Sequence, residues 1–224
     1  MMIIGHRGAA AIEPENTLLS IERAIDLGVD AVEIDVHLSK DKELVVIHDA
    51  TVDRTTNGTG PVSGFTAQEI KRLDAGKGQT IPTLQEAVDL INRRVLLLIE
   101  LKEEGTEGPV VDIIKRNNLF DKACLISFFH RLVKTVKAMD SRIKTGVLFV
   151  GSPVDACIAT QASSDTLVMK YSFVDEELVK TAHRQGIKVF IWNIDDRDLL
   201  KPYVDIGVDA IGTNDPRVLI KYLR

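Results

Sequence analysis

Long apolar runs are missing from this sequence. None approaches the roughly 20 residues that a membrane-spanning helix needs, so stable membrane insertion is not expected. The start of the chain has neither a charged leader region nor a cleavage-site pattern. Cysteine is scarce: Cys124 and Cys157 are the two present, and they form no motif. A reduced, cytoplasmic setting with both thiols as small core residues is the expectation. Basic runs are absent too. The formal net charge is −5 with both signs mixed along the chain, which leaves no footprint for nucleic acid. A glycine-rich phosphate turn is also lacking. Gly5-His6-Arg7-Gly8 is not one, and the glycines at 58, 60 and 64 are not followed by the Lys-Ser/Thr ending of a P-loop. Nothing in the composition speaks to oligomeric state.

What the sequence does have is rhythm. Apolar strand-like runs fall at 2–5, 31–36, 95–101, 123–128, 145–150, 166–169, 188–192 and 210–212, with helical patterns between them. Most are continuous rather than alternating, as strands covered on both faces are. The helices carry their own punctuation. Leu18, Ile21 and Ile25 share a stripe that stops at Gly28, and Leu132, Val136 and Met139 form another. Thr83-Leu84-Gln85-Glu86 and Thr66-Ala67-Gln68-Glu69 are capping boxes, Asp175 can cap a helix, and Asp215-Pro216 opens the last one. At 224 residues, the chain is expected to be one α/β domain, a (β/α)8 TIM barrel over 1–224, in preference to an open doubly wound sheet. Residues 38–82 are too long for one βα loop. They read as a small insertion after the second barrel strand, placed over the C-terminal mouth.

Several strands end in ionisable residues, which is a poor way to build a core. Glu33 and Asp35 are two apart, so they share a face of their strand, opposite Val32, Ile34 and Val36. Glu100 ends the next barrel strand. Three acids at one mouth require compensation unless the strand ends simply reach solvent. Either ion pairing with Arg7 and Lys102 or a divalent cation would supply it. An all-oxygen ligand set without cysteine favours Mg2+, Ca2+ or Mn2+ over Zn2+. His6 and His48 end two further strands. As a pair beside carboxylates they suit phosphodiester cleavage, which needs one base and one acid. Arg7 offers a donor fork to a phosphate oxygen, or a surface ion pair. Lys102 either stabilises charge at phosphorus or pairs with Glu100. Trp192, the single tryptophan, is either a wall for a small polyol or core packing. His37 continues the Glu33 face but is read as lying in a turn, outside the site, and His130 and His183 as surface residues.

Together these residues resemble the glycerophosphodiester phosphodiesterase family. The likeness runs through His6-Arg7-Gly8, Pro14-Glu15-Asn16-Thr17, Glu33-Ile34-Asp35-Val36, His48-Asp49, Asp53-Arg54-Thr55-Thr56-Asn57-Gly58-Thr59-Gly60 and Leu73-Asp74-Ala75-Gly76. It continues through Ile81-Pro82-Thr83-Leu84, Glu100-Leu101-Lys102, Trp192, Gly207-Val208-Asp209-Ala210 and Thr213-Asn214-Asp215-Pro216. The resemblance implies a TIM barrel with a small module after its second strand. It also implies hydrolysis of a small-molecule glycerophosphodiester to glycerol 3-phosphate and an alcohol, with one divalent metal ion, usually Ca2+ or Mg2+. Carried over by position, Glu33, Asp35 and Glu100 match the metal carboxylates and His6 and His48 the acid/base pair. Arg7 and Lys102 match the phosphate-binding cations, and Trp192 an aromatic near the glycerol. In the expected route one histidine deprotonates the glycerol 2-hydroxyl, which attacks phosphorus, while the other protonates the departing alcohol. Water then opens the cyclic phosphate; direct attack by water is the alternative. Two rival functions remain at this stage: a lysophospholipase D-like hydrolase, for which only Phe65 of the insertion offers an apolar rim, and a non-catalytic phosphodiester-binding barrel. The chain departs from the family at Asn193-Ile194-Asp195, where Thr-Val-Asn is usual, and at Phe129, where Asp or Asn is usual. A charge at Asp195 would shift substrate preference if that position touches substrate, and Phe129 would alter the pocket rim.

Overall fold

The computed structural model describes residues 1–224. In chain order the strands are β1 (Met2–His6), β2 (Ala31–Leu38), β3 (Leu44–Val46), β4 (Leu96–Leu101), β5 (Ala123–Ser127), β6 (Lys144–Phe149), β7 (Thr166–Lys170), β8 (Lys188–Trp192) and β9 (Ala210–Thr213). All but β3 pair in parallel, and β1 bonds to both β2 and β9, which closes an eight-stranded barrel. β3 adds to β2 antiparallel, outside the ring. The principal helices around it are α1 (Leu18–Leu27), α2 (Ala67–Ile70), α3 (Leu84–Ile91), α4 (Glu107–Arg116), α5 (His130–Met139), α6 (Cys157–Gln161), α7 (Glu176–Arg184), α8 (Leu200–Asp205) and α9 (Pro216–Leu223). The architecture is the (β/α)8 barrel that the continuous apolar runs and interleaved helices predict.

Strand periodicity builds the interior in layers. Ile4, Ala31, Leu98, Ile126, Leu148, Val168, Phe190 and Ala210, one from each barrel strand, pack together and plug the barrel. Two positions further along the same faces stand His6, Glu33, Glu100, Phe128, Val150, Lys170, Trp192 and Gly212. Alternation therefore puts the ionisable residues directly above an apolar floor. The outward residues, such as Val32, Ile34 and Ile99, pack under the helices.

The helix signals read from sequence are used as expected. Both threonine capping boxes form, at Thr66 and Thr83, and Asp175 and Asp215 accept from backbone N–H groups of their helices. Residues 39–82 leave the barrel after β2 and fold over their own small core of Val45, Ile47, Val52, Val62, Ile70, Ala75 and Ile81. Three expectations change. β2 runs on through His37, which is buried and not in a turn, because the antiparallel β3 extends the ladder to Leu38. Cys157 is exposed on α6, not in the core, while Cys124 is partly buried. Met139 is exposed at the end of α5, where Val133 takes the inner place beside Leu132 and Val136.

The turn after β1 fits tightly onto α1. Gly8 has φ +84°, and a Cβ there would lie 2.5 Å from backbone and side-chain atoms of Ser20. Ser20 Oγ in turn donates to the Arg7 carbonyl and accepts from the Ala9 N–H, both at 2.9 Å. The residue before the glycine is thus pinned to the helix start. Gly8→Ala should cost about 2–4 kcal/mol from left-handed strain plus overpacking, lowering Tm on the order of 10 °C. A melting curve that coincides with that of the parent would show that this turn is not under the stated constraint.

Candidate active site

Register sets the geometry of the charged layer. His6 pairs with Glu33 across β1 and β2, and Asp35 pairs with Glu100 across β2 and β4. All three carboxylates are buried, and each can offer an oxygen within 4.8 Å of the others. They do not reach bulk water as plain strand ends would. Part of their charge is met inside the chain. Lys102 Nζ donates to Glu100 Oε1 at 2.7 Å and lies 3.5 Å from Asp35 Oδ1. Arg7 brings its backbone N–H to Glu33 Oε2 at 3.0 Å and its Nε within 3.4 Å of Asp35 Oδ2. Asn16 Nδ2 donates to Asp35 Oδ2 at 2.8 Å. The Lys102–Glu100 pairing left open by the sequence is therefore observed, and it does not suffice.

Three observations show the deficit. Asp35 Oδ1 is buried with no hydrogen-bond partner. Burial first, then Asp35 and Glu100, pushes the Glu33 carboxyl well above the ordinary carboxylate range. Burial and Asp35 push Glu100 up to about 7, against the pull of Lys102. Burial also opposes charge on Asp35, but Lys102, Arg7 and His48 overcome it and hold its pKa low. A hard divalent cation fits this set: oxygen donors only, convergent, dry, and short of positive charge. Glu33, Asp35 and Glu100 would hold it.

His6, Arg7, Glu33, His48, Glu100 and Trp192 line one cavity of about 140 Å³. Asp35 and Lys102 stand next to it, in contact with Arg7 and Glu100 respectively. The structure thus brings all eight sequence-picked residues to one end of the barrel. It also supplies neighbours that strand reading missed. His48 Nδ1 lies 2.6 Å from Asp49 Oδ1, so this ring can present Nε2. Asp49 accepts from Arg54, which lowers its pKa; Arg54 also donates to Glu15, and Glu15 accepts from Arg7 at 2.8 Å. The insertion is strapped to the β1 turn through these ions. His37 Nε2 lies 3.1 Å from the His48 carbonyl oxygen and steadies that backbone. Glu15 and Asn16 had a signal, the Pro-Glu-Asn-Thr run. His37 had one as well, its parity with Glu33 and Asp35.

The far wall is apolar. Phe128 meets Trp192 edge to face with ring centroids 6.0 Å apart, and both line the cavity above Ile126, Leu148 and Val168. The Trp192 indole N–H is buried without a partner. Asp195, in contrast, does not line the cavity; its carboxylate accepts from Thr213 and Asn214.

Comparison with known proteins places this arrangement. The profile of the glycerophosphoryl diester phosphodiesterase family matches residues 6–218. A glycerophosphodiester phosphodiesterase of Caldanaerobacter subterraneus is 39% identical, over 100% of this chain and 98% of that protein. A phosphodiesterase of Oleispira antarctica, solved in complex with the product sn-glycerol-3-phosphate, superposes with TM-score 0.89 at 31% identity, covering 99% of this chain and 96% of that one. A structure from Galdieria sulphuraria, described as a putative glycerophosphodiester phosphodiesterase, gives TM-score 0.91 at 28% identity, with 99% and 97% covered.

The charge deficit has a thermal signature. Free cation at about 100 times its Kd should stabilise the fold by about 2.7 kcal/mol, a Tm rise of several degrees. Glu33→Gln should abolish most of that rise; an equal rise in the variant would put the ion elsewhere. The sign with pH follows from Glu100. Its raised pKa means that, in metal-free protein, its contribution to stability is full below the unfolded value near 4.5 and lost as pH climbs through about 7. The cation needs the ionised form, so the rise should be larger at pH 8 than at pH 5.5. A pH-independent rise in calorimetry would contradict the assignment.

Proposed function

This chain belongs to the glycerophosphoryl diester phosphodiesterase family, and from that premise we propose that it hydrolyses glycerophosphodiesters to glycerol 3-phosphate and an alcohol by histidine acid/base catalysis beside a bound divalent cation. The observation that carries this reading is the convergence of Glu33, Asp35 and Glu100 within 4.8 Å, with His6 and His48 lining the same cavity. A phosphodiester-binding barrel without catalysis would need neither proton-transfer group.

A Ca2+, Mg2+ or Mn2+ ion held by Glu33, Asp35 and Glu100 would supply Lewis acidity, neutralising phosphoryl charge and lowering the pKa of an adjacent hydroxyl. The side chains of the chain do the rest. Arg7 and Lys102 face the phosphoryl oxygens as fixed cations. The Trp192 ring packs on the glycerol, and its unpartnered N–H is a donor to a substrate oxygen. Burial first, and Arg7 second, hold the His6 pKa below its ordinary value. A neutral ring at pH 7 can take a proton, so His6 is the base in the first step, removing it from the glycerol 2-hydroxyl. The freed oxygen attacks phosphorus in line, and His48 gives its proton to the departing alcohol oxygen. Water then adds to phosphorus in the cyclic phosphate, His48 receives the proton from water, and His6 returns one to the 2-oxygen as that bond breaks.

A second reading, hydrolysis of lysophospholipids, is favoured by one observation. Six of the eight exposed large apolar side chains, Phe128, Phe129, Val150, Val154, Phe173 and Leu199, lie on the segments that follow β5 to β8, and Phe128 lines the cavity. The three carboxylates, His6 and His48 come instead from β1, β2, β4 and the insertion. The rim is therefore not on the insertion, where Phe65 packs partly buried against the local core. A single acyl chain would extend from the phosphodiester across Phe128 and Phe129.

With glycerophosphocholine and added cation, His6→Ala or His48→Ala should cut turnover by about 10²–10⁴-fold. A substrate analogue lacking the 2-hydroxyl should not be turned over at all. Full turnover of that analogue would replace the cyclic route with direct attack by water, and near-normal rates in either histidine variant would remove that residue from the chemistry. For the second reading, Phe129→Ser should lower kcat/KM for lysophosphatidylcholine about 10-fold while leaving glycerophosphocholine unchanged. Equal losses on both substrates would deny the rim an acyl-binding role.

A further inference from the structure

His6 is held from behind by a short chain of side chains from two other loops. Its Nδ1 lies 2.7 Å from Asn214 Oδ1. Asn214 Nδ2 donates to Asp195 Oδ2 at 2.6 Å, and the Asn214 backbone N–H donates to Asp195 Oδ1 at 2.7 Å. Thr213 Oγ1 donates to the same Oδ1 at 2.7 Å. Asp195 follows β8 and Asn214 follows β9, the strand that closes the barrel against β1.

The donor and acceptor roles along this chain follow from the carboxylate at its far end. A carboxylate only accepts, so the end of the Asn214 amide that faces Asp195 is its NH2. The end that faces His6 is then the carbonyl oxygen, which also only accepts. His6 must therefore carry its hydrogen on Nδ1, which leaves Nε2 bare when the ring is neutral. Nε2 is the nitrogen on the reaction side, 3.9 Å from Glu33 Oε2. Asn193 places its amide nitrogen Nδ2 2.9 Å from the same Nδ1, an orientation that would donate to a bare Nδ1, and its own oxygen is buried without a partner. With hydrogen on Nδ1, the Asn193 amide turns its oxygen to that hydrogen, as a second acceptor.

We propose that Asp195, acting through Asn214, is a positioning residue that sets the tautomer of His6 and so keeps Nε2 free to receive the substrate proton. The proposal rests on the assignment of His6 as base in the preceding section. It gives the departure at position 195 a role away from substrate. An asparagine at 195 can offer either amide end to Asn214, so it leaves the orientation of the Asn214 amide open, whereas a carboxylate allows one orientation only. His48 obtains the same result more directly, since its Nδ1 abuts the Asp49 carboxylate.

The test reads the ring nitrogens of His6 by long-range proton–nitrogen NMR at pH 8, with the signal assigned by its loss in His6→Gln. The full chain should show Nδ1–H in the parent protein, and a mixture or Nε2–H in Asp195→Asn and Asp195→Ala. In both variants kcat on glycerophosphocholine should fall roughly 10–10⁴-fold with KM within about twofold, the upper end being the loss when a catalytic imidazole is held in the wrong tautomer. Asp195→Glu should recover part of the rate. The cation-induced Tm rise should persist, which separates lost positioning from a lost fold. An Nε2–H tautomer in the parent protein would overturn the proposal even if every variant failed to fold. So would an unchanged tautomer in Asp195→Ala, or a changed tautomer with kcat within about twofold of the parent. The nitrogen spectra need no substrate, so this failure is distinct from a failure of the parent protein to hydrolyse glycerophosphocholine.

Discussion

Negative charge buried at the mouth of a closed sheet is the constraint on which this molecule is organised. Glu33, Asp35 and Glu100 are held there by strand register, which fixes their backbone positions at one end of the barrel. Isolated, each buried carboxylate would cost several kcal/mol. Lys102, Arg7 and Asn16 offset part of this, and the remainder leaves Glu33 and Glu100 with raised pKa values and one Asp35 oxygen without a hydrogen bond. An enzyme that works on a phosphodiester benefits from such a deficit. A cation held there would, together with Arg7 and Lys102, make the site positive enough for phosphate.

The rest of the mouth supports that arrangement from two sides. On one side the insertion delivers His48 and ties itself down through Asp49, Arg54 and Glu15 to Arg7. These ions are partly exposed, so each contributes little alone. Their value lies in fixing direction: Arg7, already in the left-handed region at φ 51°, is held at its backbone by Ser20 and Asn16 and at its guanidinium by Glu15. On the other side Asp195 and Asn214 brace His6. The two histidines thus reach one cavity from unrelated segments, each held at Nδ1. The opposite half of the mouth carries no such network. Phe128, Trp192 and the neighbouring exposed apolar residues give it a dry surface, suited to the uncharged part of a substrate.

Much of this was legible before any coordinates. Continuous apolar strands, helices with caps, and an overlong segment after the second strand led to the barrel and its insertion. The i, i+2 spacing of Glu33 and Asp35 was enough to put both on the inward face, because a strand alternates sides whatever surrounds it. His37 obeys the same parity yet sits beside the turn at residues 40–42, and how far β2 runs towards that turn is set by the register of its pairing with β3, which sequence spacing does not fix. The exposure of Cys157 is equally hidden from a local pattern: α6 is five residues long without a side-chain cap, and its apolar neighbours do not say which side faces out.

Local pattern, then, determined which elements form and which residues share a face, because backbone geometry repeats over two or four residues independently of fold. Tertiary structure alone decided which faces meet. The pairing of Asp35 with Glu100, the reach of Arg54 to Glu15, the collection of exposed apolar side chains on one half of the mouth, and the link from Asp195 through Asn214 to His6 all join segments far apart in the chain. Such contacts depend on barrel closure, a condition on the whole sheet that no short stretch of sequence carries.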